Sequence, residues 1–119
     1  MDFICYPKCS TCKKAENWLL DHNLNFSKRD IKTDNPTAAE LKKWHKASGL
    51  PLRRFFNTSG MLYRSENLKD RLPDMSDDEQ YSLLATNGML VKRPILVSGS
   101  KVLVGFKESE YEKLLASDK

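Results

Sequence analysis

Apolar positions along the chain repeat with two periods, one near two residues and one near 3.6, and each change of period marks a new element. Asp2 to Tyr6 alternates weakly around Phe3, Ile4 and Tyr6 and predicts a short strand, which Pro7-Lys8 breaks. Cys12, Ala15, Leu19 and His22 then share one stripe with Trp18 beside it, the spacing of a helix packed against a sheet. His22-Asn23 closes that helix. Asn25 to Ile31, apolar at Phe26 and Ile31 and polar between, predicts the second strand.

The middle of the chain turns helical. Thr33-Asp34-Asn35-Pro36 is a turn that opens a helix, with Pro36 suited to the first helical position and Glu40 in the early turns. Ala38, Leu41 and Trp44, then Ala47 or Ser48, make its apolar face, and Gly49 ends it. Pro51 to Phe56 reads as a short helical segment, Asn57-Thr58-Ser59-Gly60 as a turn, and Ser65 to Arg71 as a further helical piece stopped by Pro73. Ser76-Asp77-Asp78-Glu79 is a capping box for the next helix, with Tyr81, Leu83, Leu84 and Ala85 inward and Gly88 suited to its C′ position. Met89 to Val97 and Lys101 to Gly105 predict two strands joined by Ser98-Gly99-Ser100, and Glu108 to Ala116 a helix with Tyr111, Leu114 and Leu115 inward. A βαβ unit, several helices and a ββα unit together describe an α/β sandwich around a four-stranded mixed sheet.

Composition narrows the class. A chain of 119 residues, 39% apolar and 30% charged, fits one soluble globular domain. No apolar run approaches the roughly 20 residues that cross a bilayer. Met1 to Pro7 lacks a basic stretch and a long apolar run, so no signal peptide is expected and the expected location is cytoplasmic. The net charge of +4 is mild, and its basic residues stand in separate pairs: Lys13-Lys14, Lys42-Lys43, Arg53-Arg54 and Lys92-Arg93. Direct nucleic-acid binding wants a concentrated stripe and is not expected; the excess suits acidic partners.

Three cysteines are too few for a disulfide framework, but Cys9-Ser10-Thr11-Cys12 has the spacing of a redox dithiol. A thiol attacks as its thiolate. Cys9 falls just after the first strand, where the free N–H groups of the next helix point at it, with Lys8, Lys13 and Lys14 nearby. Cys12 falls on the same helical side and can close a small-ring disulfide, so Cys9 is assigned attack and Cys12 resolution. The plainer alternative makes both cysteines small buried hydrophobes. Zinc would need a second ligand pair, which His22, His45 and Cys5 do not form, so no metal site is expected. Cys5 reads as core, His22 as a helix-end cap and His45 as surface. Pro94, inside the run Leu90 to Val97, marks either an edge or start of a strand, or a cis-proline passing the cysteines with Arg93 presented to substrate. The cis form is expected.

Three segments carry a resemblance: Tyr6-Pro7-Lys8-Cys9-Ser10-Thr11-Cys12-Lys13-Lys14-Ala15; Gly49-Leu50-Pro51 through Phe55-Phe56-Asn57-Thr58-Ser59-Gly60 to Tyr63-Arg64; and Asn87-Gly88-Met89-Leu90 through Lys92-Arg93-Pro94-Ile95. They resemble the arsenate reductase-related (ArsC/Spx) family, above all its short YusI/YffB-like branch. The resemblance implies a thioredoxin-like fold for residues 1–119 with a helical insertion at about 38–87. It implies a thiol–disulfide oxidoreductase in which Cys9 and Cys12 are catalytic and Arg93, Pro94 and Arg64 bind substrate. No bound cofactor is implied; glutathione, thioredoxin or glutaredoxin is the implied reductant. An alternative within the family is an Spx-like redox regulator that binds the C-terminal domain of the RNA polymerase α-subunit. Arsenate reduction is a third reading, but those enzymes lack a second cysteine. Of their arginines Arg93 matches one, while the others align near Asn57 and near Gly105, with Lys107 close by.

Overall fold

A computed structural model describes residues 1–117 of the chain. Strand β1 (Asp2–Cys5) leads into α1 (Ser10–Asp21), and β2 (Ser27–Asp30) returns parallel to β1, pairing Phe3 with Lys28 and Ile4 with Arg29. Then come α2 (Ala38–Ser48), a 3-10 turn (Leu52–Phe55), α3 (Met61–Ser65), α4 (Leu68–Arg71), a second 3-10 turn (Leu72–Asp74) and α5 (Asp77–Leu84). A third 3-10 turn (Gly88–Leu90) precedes β3 (Ile95–Ser98), β4 (Lys101–Val104) and α6 (Glu108–Ser117). The sheet order is β2-β1-β3-β4, with β3 antiparallel to both neighbours.

Alternation along the strands divides the core in two. Phe3, Cys5 and Leu96 face Cys12, Ala15, Leu19, Tyr111 and Leu114 of α1 and α6. Ile4, Ile95, Val102 and Val104 face the other way, onto Leu41 and Trp44 of α2, Leu84 of α5 and the aromatic rings of Phe55 and Phe56. The whole span between β2 and β3 therefore covers one sheet face, while the thiols belong to the other.

Local chemistry explains most element ends. The Ser76 side chain accepts the Glu79 N–H while Glu79 accepts the Ser76 N–H, closing the capping box read from the sequence. A second box, Thr37 with Glu40, opens α2, so Pro36 lies before the cap and not at the first helical position. Gly49, at φ 68°, ends α2 in the left-handed conformation. Asn67, at φ 52°, splits the expected Ser65–Arg71 helix into α3 and α4, and Pro73 stands inside a 3-10 turn. The long strand expected over Met89–Val97 is shorter. Gly88–Leu90 is a 3-10 turn, Val91 makes an isolated bridge to Phe56, and regular pairing begins at Ile95. Gly88 does not end α5, which caps at Ala85. Its lack of a side chain serves a close approach instead: a Cβ there would stand 1.8 Å from the Ile31 carbonyl oxygen.

Candidate active site

Chain direction sets the two thiols apart. After β1 the backbone turns at Tyr6, whose carbonyl accepts the Cys9 N–H at 3.0 Å. Cys9 is the N-cap of α1, in extended conformation at φ −87° and ψ 125°, so it stands outside the helix. Cys12 lies within the first turn and points to the sheet, 2% exposed, beside Cys5 and Tyr111. Its sulfur accepts the Tyr6 N–H at 3.4 Å. Cys9 is half-buried, and all three cysteines are free thiols.

Electrostatics widen the difference. Burial alone raises the Cys9 thiol, but the Cys12 N–H, the Cys12 thiol, the Arg93 guanidinium and the Thr11 N–H outweigh it and bring the net value below the ordinary one. Cys12 is pushed up to about 12, first by burial and then by the neighbouring Cys9 charge, against the help of the Tyr6 N–H. Burial likewise raises Cys5. One thiol is prepared to ionise and its partner to hold its proton.

Arg93-Pro94 is a cis peptide bond, as expected. The Lys92 N–H donates to the Phe55 carbonyl at 2.8 Å, and the Pro94 carbonyl accepts the Gly105 N–H at 2.8 Å, which fixes the loop from both sides. That loop aims Arg93 back at α1. Its guanidinium meets Cys9 and lies 5.2 Å from the Tyr6 ring centroid, while Nε and Nη1 are buried without a hydrogen-bond partner. Two buried donors beside the Cys9 sulfur are thereby left without a partner.

Arg64 is different. It stands exposed on α3, and among the described residues its guanidinium makes no hydrogen bond or ion pair. Nothing ties it to the thiols. His22 caps α1, its Nδ1 2.8 Å from the Trp18 carbonyl and its ring stacked on Trp18, whereas His45 is half-buried against the Tyr81 hydroxyl at 2.6 Å and is not a surface residue. Among the described residues no three His, Cys, Asp or Glu side chains gather as a metal-binding set.

Sequence reasoning gave Tyr6 no role, yet its N–H holds Cys12 and its ring backs Arg93; its place between strand and dithiol was the available signal. It also read the basic pairs as separate. In space Arg53, Arg54, Lys69 and Lys92 line one cleft.

Sheet order, flanking helices and a dithiol at the head of α1 define a thioredoxin-like fold, and comparison with known proteins agrees. The ArsC family pattern matches residues 5–114. The chain therefore belongs to the ArsC family. It is 50% identical to YusI of Bacillus subtilis (strain 168) over 95% of this chain and 96% of that one. To the regulatory protein MgsR of the same organism it is 30% identical, over 96% of this chain and 89% of the other. Among solved structures, an ArsC family related protein from Bacteroides fragilis is 54% identical and superposes with a TM-score of 0.92, each chain covered to 95%.

Proposed function

We propose that this protein is a thiol–disulfide oxidoreductase in which Cys9 attacks and Cys12 resolves. The split between a lowered, accessible Cys9 and a buried Cys12 raised to about 12 carries the reading. The Cys9 thiolate attacks one sulfur of a substrate disulfide, forms a mixed disulfide and releases the other half as a thiolate. Cys12 then loses its proton to the departing thiolate and attacks Cys9 Sγ, closing the Cys9–Cys12 disulfide and freeing the second substrate thiol. Two electrons reach the substrate and two leave the dithiol; glutathione, or a thioredoxin- or glutaredoxin-type dithiol, returns them. Arg93 steadies the attacking thiolate, and its free Nε and Nη1 orient a carboxylate or other oxyanion of the substrate. The test is brief alkylation at mildly acidic pH, then incubation with oxidised glutathione, read by mass spectrometry. Cys9 is modified first; Cys9→Ser forms no adduct and Cys12→Ser accumulates one on Cys9. Preferential alkylation of Cys12 would invert the assignment.

Similarity to a regulatory protein over 96% of the chain favours one second reading, a redox-switched regulator acting on RNA polymerase. Titration of the oxidised protein against the C-terminal domain of the polymerase α-subunit separates the two. A redox-dependent complex of micromolar or better affinity would displace the oxidoreductase reading, which predicts none.

A further inference from the structure

Four cations from three separate segments converge beside the loop that carries Arg93. Arg53 and Arg54 come from the 3-10 turn after α2, Lys69 from α4, and Lys92 from the residue before Arg93; together they line a cleft of about 480 Å³. Among the described residues no carboxylate lines this cleft. Among the described residues none of the four makes an ion pair or a side-chain hydrogen bond. A larger cavity, of about 800 Å³ near the start of β1 and the β3–β4 hairpin, is different. There Arg29 is held at 2.7 Å by Glu40, and Lys28 is paired with Glu16 at 2.9 Å. Cations gathered without counter-charge repel one another, and an anion in the cleft relieves that repulsion.

The cleft has a second character. Buried Phe56 and half-buried Tyr63 form part of its wall. Arg53, Tyr63 and Lys69 are shared with an adjoining pocket of about 310 Å³, whose other walls include Leu52, Leu72 and Pro73. The cationic groove thus runs into an apolar one. A lone tetrahedral anion is too small to meet four cations spread around such a cleft, and beyond Tyr63 the adjoining walls are aliphatic Leu52, Leu72 and Pro73, which give the bases of a phosphodiester strand little ring surface to stack on. A short peptide satisfies both, with carboxylates among the cations and one apolar side chain beyond them.

We propose that this groove docks an acidic, apolar-tipped segment of the protein whose disulfide Cys9 attacks. The inference rests on the oxidoreductase reading and specifies its substrate class. Lys92, which lines the cleft, directly precedes Arg93, whose guanidinium meets Cys9, so one loop joins the groove to the thiol.

The experiment uses two peptides that carry the same mixed disulfide to a chromophoric thiol, one flanked by Glu-Glu-Leu-Glu and one by Lys-Lys-Leu-Lys. A cysteine-free form of the acidic peptide serves for binding by fluorescence anisotropy. Exposed ion pairs are individually weak, so the set of four sets the expected scale: the acidic peptide reacts roughly tenfold faster at low salt. That margin shrinks to about twofold near 0.5 M salt as screening shortens the reach of the charges. The variant Arg53→Glu/Arg54→Glu reverses the ranking of the peptides and loses binding of the cysteine-free one; Lys69→Glu serves if the double variant misfolds by circular dichroism. Equal rates for both peptides, a margin indifferent to salt and charge reversal, or binding of a single-stranded oligonucleotide in place of the acidic peptide would overturn the proposal. If neither peptide reacts while the cysteine-free one still binds, docking stands and the oxidoreductase reading falls.

Discussion

Arg93→Gln isolates what the loop before β3 contributes to the thiol. The substitution removes the positive charge that meets Cys9 and leaves a neutral amide of similar reach. A charge-assisted interaction of this kind is worth about 1.5–3 kcal/mol, and water around half-buried Cys9 favours the low end, so Cys9 ionises about tenfold less readily and, at any pH below its ionisation, the thiolate population falls by that factor. The thiolate that remains is more basic and intrinsically a better nucleophile. With a Brønsted slope near 0.4–0.5 it recovers about threefold, leaving the variant about threefold slower on the acidic limb. At alkaline pH, where Cys9 is fully ionised in both proteins, the same arithmetic makes the variant about threefold faster. The two rate profiles must therefore cross. Alkylation of Cys9 in a Cys12→Ser background, followed by peptide mass spectrometry over about pH 5 to 10, measures both limbs. Coincident profiles, or a variant slower at every pH, would refute the assignment of Arg93 as the thiolate's partner.

Gly88→Ala drives a Cβ to 1.8 Å from the Ile31 carbonyl oxygen, a rigid backbone neighbour, so the expected loss in denaturant unfolding is about 3 kcal/mol, and a change below about 0.5 kcal/mol would contradict the packing described. Glu40 is held at about 2, first by the Arg29 guanidinium, so its contribution to stability is present above its ordinary value of 4.5 and is lost as pH falls toward 2. With 36% of that side chain exposed, screening reduces the effect to about 1 kcal/mol; Glu40→Gln should cost that much at pH 7 and less than half of it near pH 2, read from urea midpoints. Arsenate with glutathione and glutaredoxin should be reduced at background rates, because Asn57 and Gly105 stand where the resemblance places two of three arginines; saturable turnover would show that other donors complete the pocket.

What could be read from the sequence was what neighbours along the chain decide. The Ser76–Glu79 box and the Cys9–Cys12 spacing are local patterns, and both appear in the fold. Pro94 was legible because a proline in an apolar run demands a backbone explanation. Gly88 misled because a glycine after a helix suggests a cap, whereas its reason lies across the fold at Ile31. Met89–Val97 misled because an apolar run without clear alternation fits a buried loop as well as a strand. The basic cleft was hidden for the same reason as Gly88. Its members lie on three segments that only tertiary packing brings together.

The thiol asymmetry follows from place, not residue type. The N-cap position leaves one sulfur outside the helix, facing free N–H groups, and a residue three steps on is turned into the core. Any chain that puts two cysteines at these positions of this scaffold inherits the same division, whether it turns over a substrate or switches a regulator. The dithiol therefore cannot by itself separate the enzymes of such a family from its regulators. What separates them is the molecule brought to Cys9, and that is decided outside α1. In this chain three of the four uncompensated cations, Arg53, Arg54 and Lys69, sit on the helical span between β2 and β3, which packs on the sheet face opposite the thiols. Those helices can change their surface without disturbing the sulfur chemistry, because Lys92 and Arg93 belong to one loop but serve different surroundings, the cleft and the thiol. If the cleft docks the substrate as proposed, partner choice and reactivity are tuned by adjacent residues yet remain separable, so charge reversal in the cleft should redirect the protein where substitution at Arg93 would slow it.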